Sequence, residues 1–256
     1  MLGAIAGDII GSVYECNPIR SKIFPLFGTV AGYTDDTVLT IAVANAILKG
    51  KSYAKEMKSF GRKYTAGYGA NFYNWLLSPS DEPYNSWGNG SAMRVSPVGF
   101  AFNTLDEILN EAQKSADCTH NHPEGIKGAQ ATALSIYLAK TGESKEGIKK
   151  EISQRFHYDL NRTLNEIRPT YYFKIACQDS VPESIIAFLE SDDVENAIRN
   201  AVSLGGDADT MACIAGGIAE AYYKEIPDHI IEGARQRLPD VFLKIIDSFY
   251  ETYPLT

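Results

Sequence analysis

No stretch of this chain alternates apolar and polar residues long enough to make a core strand. Apolar residues recur instead at three- and four-residue intervals, the spacing of one helix face. That single pattern predicts an all-α fold. Residues 2–14 carry Ile5, Ile9, Ile10 and Val13 on one side, with Gly3, Gly7 and Gly11 four apart. Glycine is unfavourable inside a helix, so three at this spacing predict a neighbouring backbone in close approach. The run 38–48 places apolar residues at 38, 41, 44, 47 and 48 and stops at Lys49-Gly50. Further helices are expected over 52–64, 104–116, 124–140, 145–155, 183–189, 193–203, 210–223, 228–237 and 239–251. The segments 17–33 and 66–103 are rich in Gly, Pro, Asn and Ser and read as loops, the second long enough to suggest a functional role. The polar stretch 141–180 fits no pattern firmly. With no repeat or linker, 1–256 reads as one compact domain, a bundle of helices.

Two acidic clusters carry the chemistry. Thr34-Asp35-Asp36-Thr37 directly precedes the 38–48 helix, and Gly205-Gly206-Asp207-Ala208-Asp209-Thr210 precedes the helix after it. Helix capping explains one acceptor in each and is worth about 1 kcal/mol. It does not explain a second adjacent carboxylate, since packed anions repel. If the two clusters, more than 160 residues apart, face one cleft, their charge needs cations. Oxygen ligands without His or Cys suit Mg²⁺ or Mn²⁺.

Other features are weaker alone. Gly67-Tyr68-Gly69-Ala70-Asn71 could offer backbone amides to phosphate, or be a simple turn, and it lacks the third glycine of a dinucleotide fingerprint. Tyr84–Arg94 mixes amides, hydroxyls and aromatics in the manner of a ligand-facing loop. His120 and His122 flank Asn121, but no further His or Cys at ligand spacing completes a zinc site. Glu15 alone says nothing. The net charge of −8 argues against general nucleic-acid binding. An anionic ligand would have to be held by metal ions, helix N-termini or amides. Four scattered cysteines without a CxxC pair fit a reduced, cytoplasmic protein. The apolar start carries Asp8 and no basic flank, unlike a signal peptide, and no run is long enough to span a membrane.

Taken together, GAIAGDIIGSVYE (3–15), YTDDT (33–37), GYGA (67–70), WGNGSAMRVSPVG (87–99), THNHPEGIKGA (119–129), SLGGDADT (203–210) and IIEGARQRLP (230–239) make the chain similar to the ADP-ribosylglycohydrolase family. The resemblance implies a compact orthogonal helical bundle with a two-metal centre in a cleft. It implies Thr34, Asp35, Asp36, Asp207, Asp209 and Thr210 as ligands to two divalent cations, Mg²⁺ or Mn²⁺. It implies Glu15, Asp35 and Asp36 as catalytic, with Glu15 at the family's flexible glutamate. It implies Gly67, Gly69, Ser86, Trp87, Gly88 and His120 around ADP-ribose. The implied reaction is metal-dependent hydrolysis of the N- or O-glycosidic bond between ADP-ribose and an acceptor. The alternatives are a di-metal nucleotide phosphohydrolase and a non-catalytic ADP-ribose-binding module. The acceptor is expected to be an ADP-ribosylated protein or small molecule, with nucleic acid entering only as an ADP-ribosylated acceptor, and the chain to act as a monomer.

Overall fold

In the computed structural model, which describes residues 1–255, the chain forms fifteen helices and no strand among those residues. They are α1 (Leu2–Gly11), α2 (Asp35–Lys49), α3 (Tyr53–Lys63), α4 (Ala70–Leu77), α5 (Gly90–Met93), α6 (Ser96–Ala101), α7 (Leu105–Asp117), α8 (Pro123–Lys140), α9 (Lys145–Phe156), α10 (Leu164–Ile167), α11 (Cys177–Leu189), α12 (Val194–Val202), α13 (Ala208–Tyr223), α14 (Asp228–Arg235) and α15 (Asp240–Thr252). None is long and apolar enough to cross a membrane.

The organising contact is α1 against α13. A Cβ at Gly3, Gly7 or Gly11 would overlap the backbone carbonyl oxygens of Gly216, Ala212 and Ala208 respectively. The four-residue spacing on α1 thus meets a four-residue spacing on α13, and the helices touch backbone to backbone. Every residue of α1 is buried, including Asp8. At the far end, Gly3 donates its amide to the buried carboxylate of Glu220 at 2.8 Å, which supplies an acceptor for the start of α1. Around this pair pack α8, α11 and α12, while α2 lies against α3 and α15.

Local signals explain most boundaries. Thr104 and Glu107 form a reciprocal capping box at the start of α7, and Thr163 and Glu166 form another at α10. Gly50 closes α2 in the left-handed conformation. Three expectations need correction. The first helix ends at Gly11, not at 14, and the chain then turns, with Tyr14 donating to the Gly11 carbonyl. The expected loop 66–103 contains α4, α5 and α6. Two of these are too short to show a period, and Pro97 sits in the first turn of α6, where proline is tolerated. The helix expected from 183 begins at Cys177, because Pro182 lies inside α11 without ending it.

The unplaced stretch 141–180 resolves into α9, α10 and an extended segment. That segment is pinned beside the 84–90 loop: the Asn89 amide donates to the Ile175 carbonyl at 2.7 Å, and the Cys177 amide to the Trp87 carbonyl at 3.0 Å.

A candidate metal centre in an acidic cleft

The N-termini of α2 and α13 open on the same cleft, of about 520 Å³. It is lined by Thr34, Asp35, Asp36, Asp207, Asp209 and Thr210, joined by Glu15 from the turn after α1. Thr210 Oγ1 lies 3.5 Å from Asp36 Oδ1, a direct link between the two clusters. Glu15, Asp207 and Asp209 each bring one carboxylate oxygen within 4.8 Å of the others. Asp35 and Asp36 stand outside this tight triad on the α2 side of the cleft. The close α1–α13 contact creates part of this arrangement, since a Cβ on Gly11 would run into the Asp209 backbone.

The electrostatics are those of crowded, desolvated anions. Burial, then the charges of Asp8, Asp207 and Glu15, push Asp35 up to about 7. Burial and the Asp209 carboxylate drive Asp36 well above the usual carboxylate range, and burial and Asp207 do the same to Asp209. Burial raises Glu15 as well, helped by Asp207 and Asp8. Asp207 is raised by burial even though Asn89 Nδ2 donates to its Oδ2 at 2.8 Å. Asp36 Oδ2 is buried and has no hydrogen-bond partner among the described residues. A buried carboxylate oxygen left unpaired is costly. Hard oxygen donors and an orphaned anionic oxygen together fit divalent cations of the Mg²⁺ or Mn²⁺ kind.

Gly67 and Gly69 line the cleft with Ala70, Asn71 and Phe72, the first turn of α4. Gly69 offers no side-chain cap to the first turn of α4, and among the described residues no Lys or Arg lines the cleft. Ser86, Gly88 and His120 also lie on the wall. His120 Nδ1 is 2.7 Å from Thr119 Oγ1, which accepts from the buried Arg94 at 2.8 Å. Burial, then the Arg94 charge, holds His120 well below the usual imidazole range, so it is a neutral hydrogen-bonding group. His122 instead serves the backbone, its Nδ1 accepting from the Glu124 amide at 3.1 Å to cap α8. The pair is therefore not a metal half-site.

Trp87 departs from expectation. Its ring is half-exposed, sits edge-on to His122 and is not on the cleft wall. Phe173 and Ile175, from the stretch the sequence could not place, line the cleft beside the 84–90 loop instead. Sequence reasoning also passed over Asn89 as an individual site residue, and passed over Asp8. Asp8 had a signal: it is the one charged residue in an otherwise apolar helix. Phe173 and Ile175 had none.

Comparison with known proteins identifies relatives along the whole chain. The family model described as ADP-ribosylglycohydrolase matches residues 1–255. ADP-ribosylhydrolase ARH3 of Homo sapiens is 27% identical over 304 residues, covering 87% of this chain and 84% of that protein. ARH3 of Gallus gallus is 27% identical, covering 98% of this chain and 89% of its own. An uncharacterized protein of Archaeoglobus fulgidus is 32% identical over 277 residues, covering 93% and 90%. A solved ADP-ribosylglycohydrolase-related protein complex superimposes with a TM-score of 0.79 at 23% identity, over 98% of this chain and 97% of that one, which establishes a shared fold. A family match from end to end, on a helical frame that joins two distant acidic helix N-termini in one cleft, means that the chain belongs to the ADP-ribosylglycohydrolase family.

Proposed function

We propose that this protein hydrolyses the glycosidic bond between ADP-ribose and an acceptor, with two divalent cations held by Thr34, Asp35, Asp36, Asp207, Asp209 and Thr210. The observation that carries the reading is the meeting of the two aspartate clusters, with Thr210 against Asp36 and an unpaired buried oxygen on Asp36. The ARH3 relatives, named as ADP-ribosylhydrolases, support the substrate class.

Divalent cations, when bound, supply Lewis acidity and a template for the vicinal hydroxyls of a ribose. The chain's own groups account for the rest. The carboxylates of the cleft offset positive charge at the anomeric carbon in an oxocarbenium-like transition state. In this reading Glu15, partly exposed and with a raised proton affinity, takes a proton from water and returns one to the departing acceptor oxygen. The first-turn amides of α4 receive the diphosphate, which lets an acidic protein hold an anionic ligand. Neutral His120 and Ser86 hydrogen-bond polar edges of the nucleotide, while Phe173 and Ile175 offer apolar surface beside them.

A substrate panel tests this. ADP-ribosyl-arginine, an ADP-ribosyl-serine peptide and ADP-ribosylated DNA are each incubated with Mg²⁺, with Mn²⁺ and with EDTA. Free ADP-ribose plus an intact acceptor is expected from at least one of them, and EDTA is expected to suppress it. Release of AMP or inorganic phosphate would identify a phosphohydrolase. Undiminished turnover in EDTA would remove the cations from the reaction.

A further inference from the structure

We infer that Asp8, which lines no part of the cleft, is the positioning residue that makes Thr34 a cation ligand. The inference rests on the cation site proposed above, and deepens it.

Asp8 is completely buried, and among the described residues its carboxylate is held by threonines and not by a Lys or Arg. Its Oδ2 accepts from the Thr34 amide at 3.0 Å, from the Thr37 amide at 3.1 Å and from the Thr37 hydroxyl. Its Oδ1 accepts from the Thr34 hydroxyl at 2.7 Å. One carboxylate on α1 thus holds the first turn of α2 by two amides and two hydroxyls. Because α1 is locked to α13 by its three glycines, Asp8 ties the α2 acidic cluster to the frame that carries Asp207 and Asp209.

The consequence for Thr34 is specific. Its single hydroxyl proton goes to Asp8, and one lone pair accepts from the Asp36 amide at 3.3 Å. The other lone pair remains for the cleft, and Thr34 lines that cleft. Substituting Asn at position 8 reverses this. Oδ2 faces two backbone N–H groups that can only donate, so the amide oxygen must occupy that place. The amide nitrogen then takes the place of Oδ1 and donates to Thr34 Oγ1. With both lone pairs used, Thr34 must aim its proton into the cleft, where a cation would repel it.

Mn²⁺ titration followed by the electron paramagnetic resonance of the free ion tests this on the intact chain. Asp8→Asn is expected to weaken Mn²⁺ binding by about 10- to 100-fold, as loss of an outer partner of a metal ligand does. Thr37→Val removes one donor to Asp8 but leaves both Thr34 bonds. It is expected to lower the melting temperature and keep Mn²⁺ affinity within about threefold. A role for Asp8 in stability alone would give the two variants the same profile. Asp8→Asn with parental Mn²⁺ affinity overturns the inference, as does a tenfold or greater loss in Thr37→Val. If Asp8→Asn does not fold, Thr37→Val decides alone. Failure of the parent chain to bind Mn²⁺ would sink the cation reading itself, an outcome distinct from parental affinity in Asp8→Asn.

Discussion

Asp35→Asn is expected to reduce turnover of an ADP-ribosyl substrate by about three orders of magnitude or more, without loss of the fold. The size follows from the charge removed, since a cation site that loses one anionic ligand forfeits several kcal/mol of transition-state stabilisation, and each 1.36 kcal/mol is tenfold in rate. The unchanged fold follows from the electrostatics. Burial and the neighbouring carboxylates already push Asp35 up to about 7, so its charge opposes folding when no cation is bound. Asparagine removes that charge at nearly constant shape. The variant should therefore melt at or above the parental temperature in EDTA. It should also lose most of the thermal shift that Mg²⁺ or Mn²⁺ gives the parent. Activity assays and thermal melts, each with and without chelator, check both halves. Full activity after chelation would contradict the role given to Asp35, and a melting temperature that collapses in EDTA would contradict the account of its charge.

Gly7→Ala is expected to destabilise the protein by roughly 3 kcal/mol or more, the upper end of what overpacking costs. Inside a helix this substitution ordinarily stabilises, because alanine is the better helix former by about 1 kcal/mol. Here the added methyl would enter the Ala212 carbonyl, which is backbone and cannot turn aside. α1 and α13 would have to separate. The damage should reach the site, because Gly11 on the same face touches the Asp209 backbone. Gly32→Ala, where a Cβ meets nothing, is the control and should stay within about 0.5 kcal/mol. Urea unfolding of the two variants beside the parent measures this, and a Gly7→Ala as stable as the parent would contradict the backbone-to-backbone contact.

These two sites show where the sequence was readable. The glycine spacing on α1 announced a close helix–helix contact, and the structure supplies the partner in α13. Doubled aspartates at two helix starts announced a charge problem, because capping has no use for the second carboxylate of each pair. Their convergence was not readable, since it depends on α1 bridging two ends of the bundle through Asp8 and Gly11. α5 and α6 were hidden because four and six residues hold too little periodicity. Pro182 concealed the start of α11, from Cys177 to Pro182, where a proline that usually marks a boundary is carried inside a packed helix. Phe173 and Ile175 reach the cleft by backbone pairing at Asn89 and Trp87, and pairing of irregular segments leaves no pattern in either partner. Trp87 shows the reverse case, for its motif drew attention to a side chain whose ring stands off the wall while its carbonyl does the anchoring.

Anomalous diffraction from crystals grown with Mn²⁺ puts the central claim to its most direct test. Two peaks about 3.5–4 Å apart are expected between Thr34-Asp35-Asp36 and Asp207-Asp209-Thr210, with Asp36 Oδ2 turned to one of them. Ordered crystals whose aspartates remain unliganded at saturating Mn²⁺, with any anomalous signal confined to other parts of the surface, would contradict it.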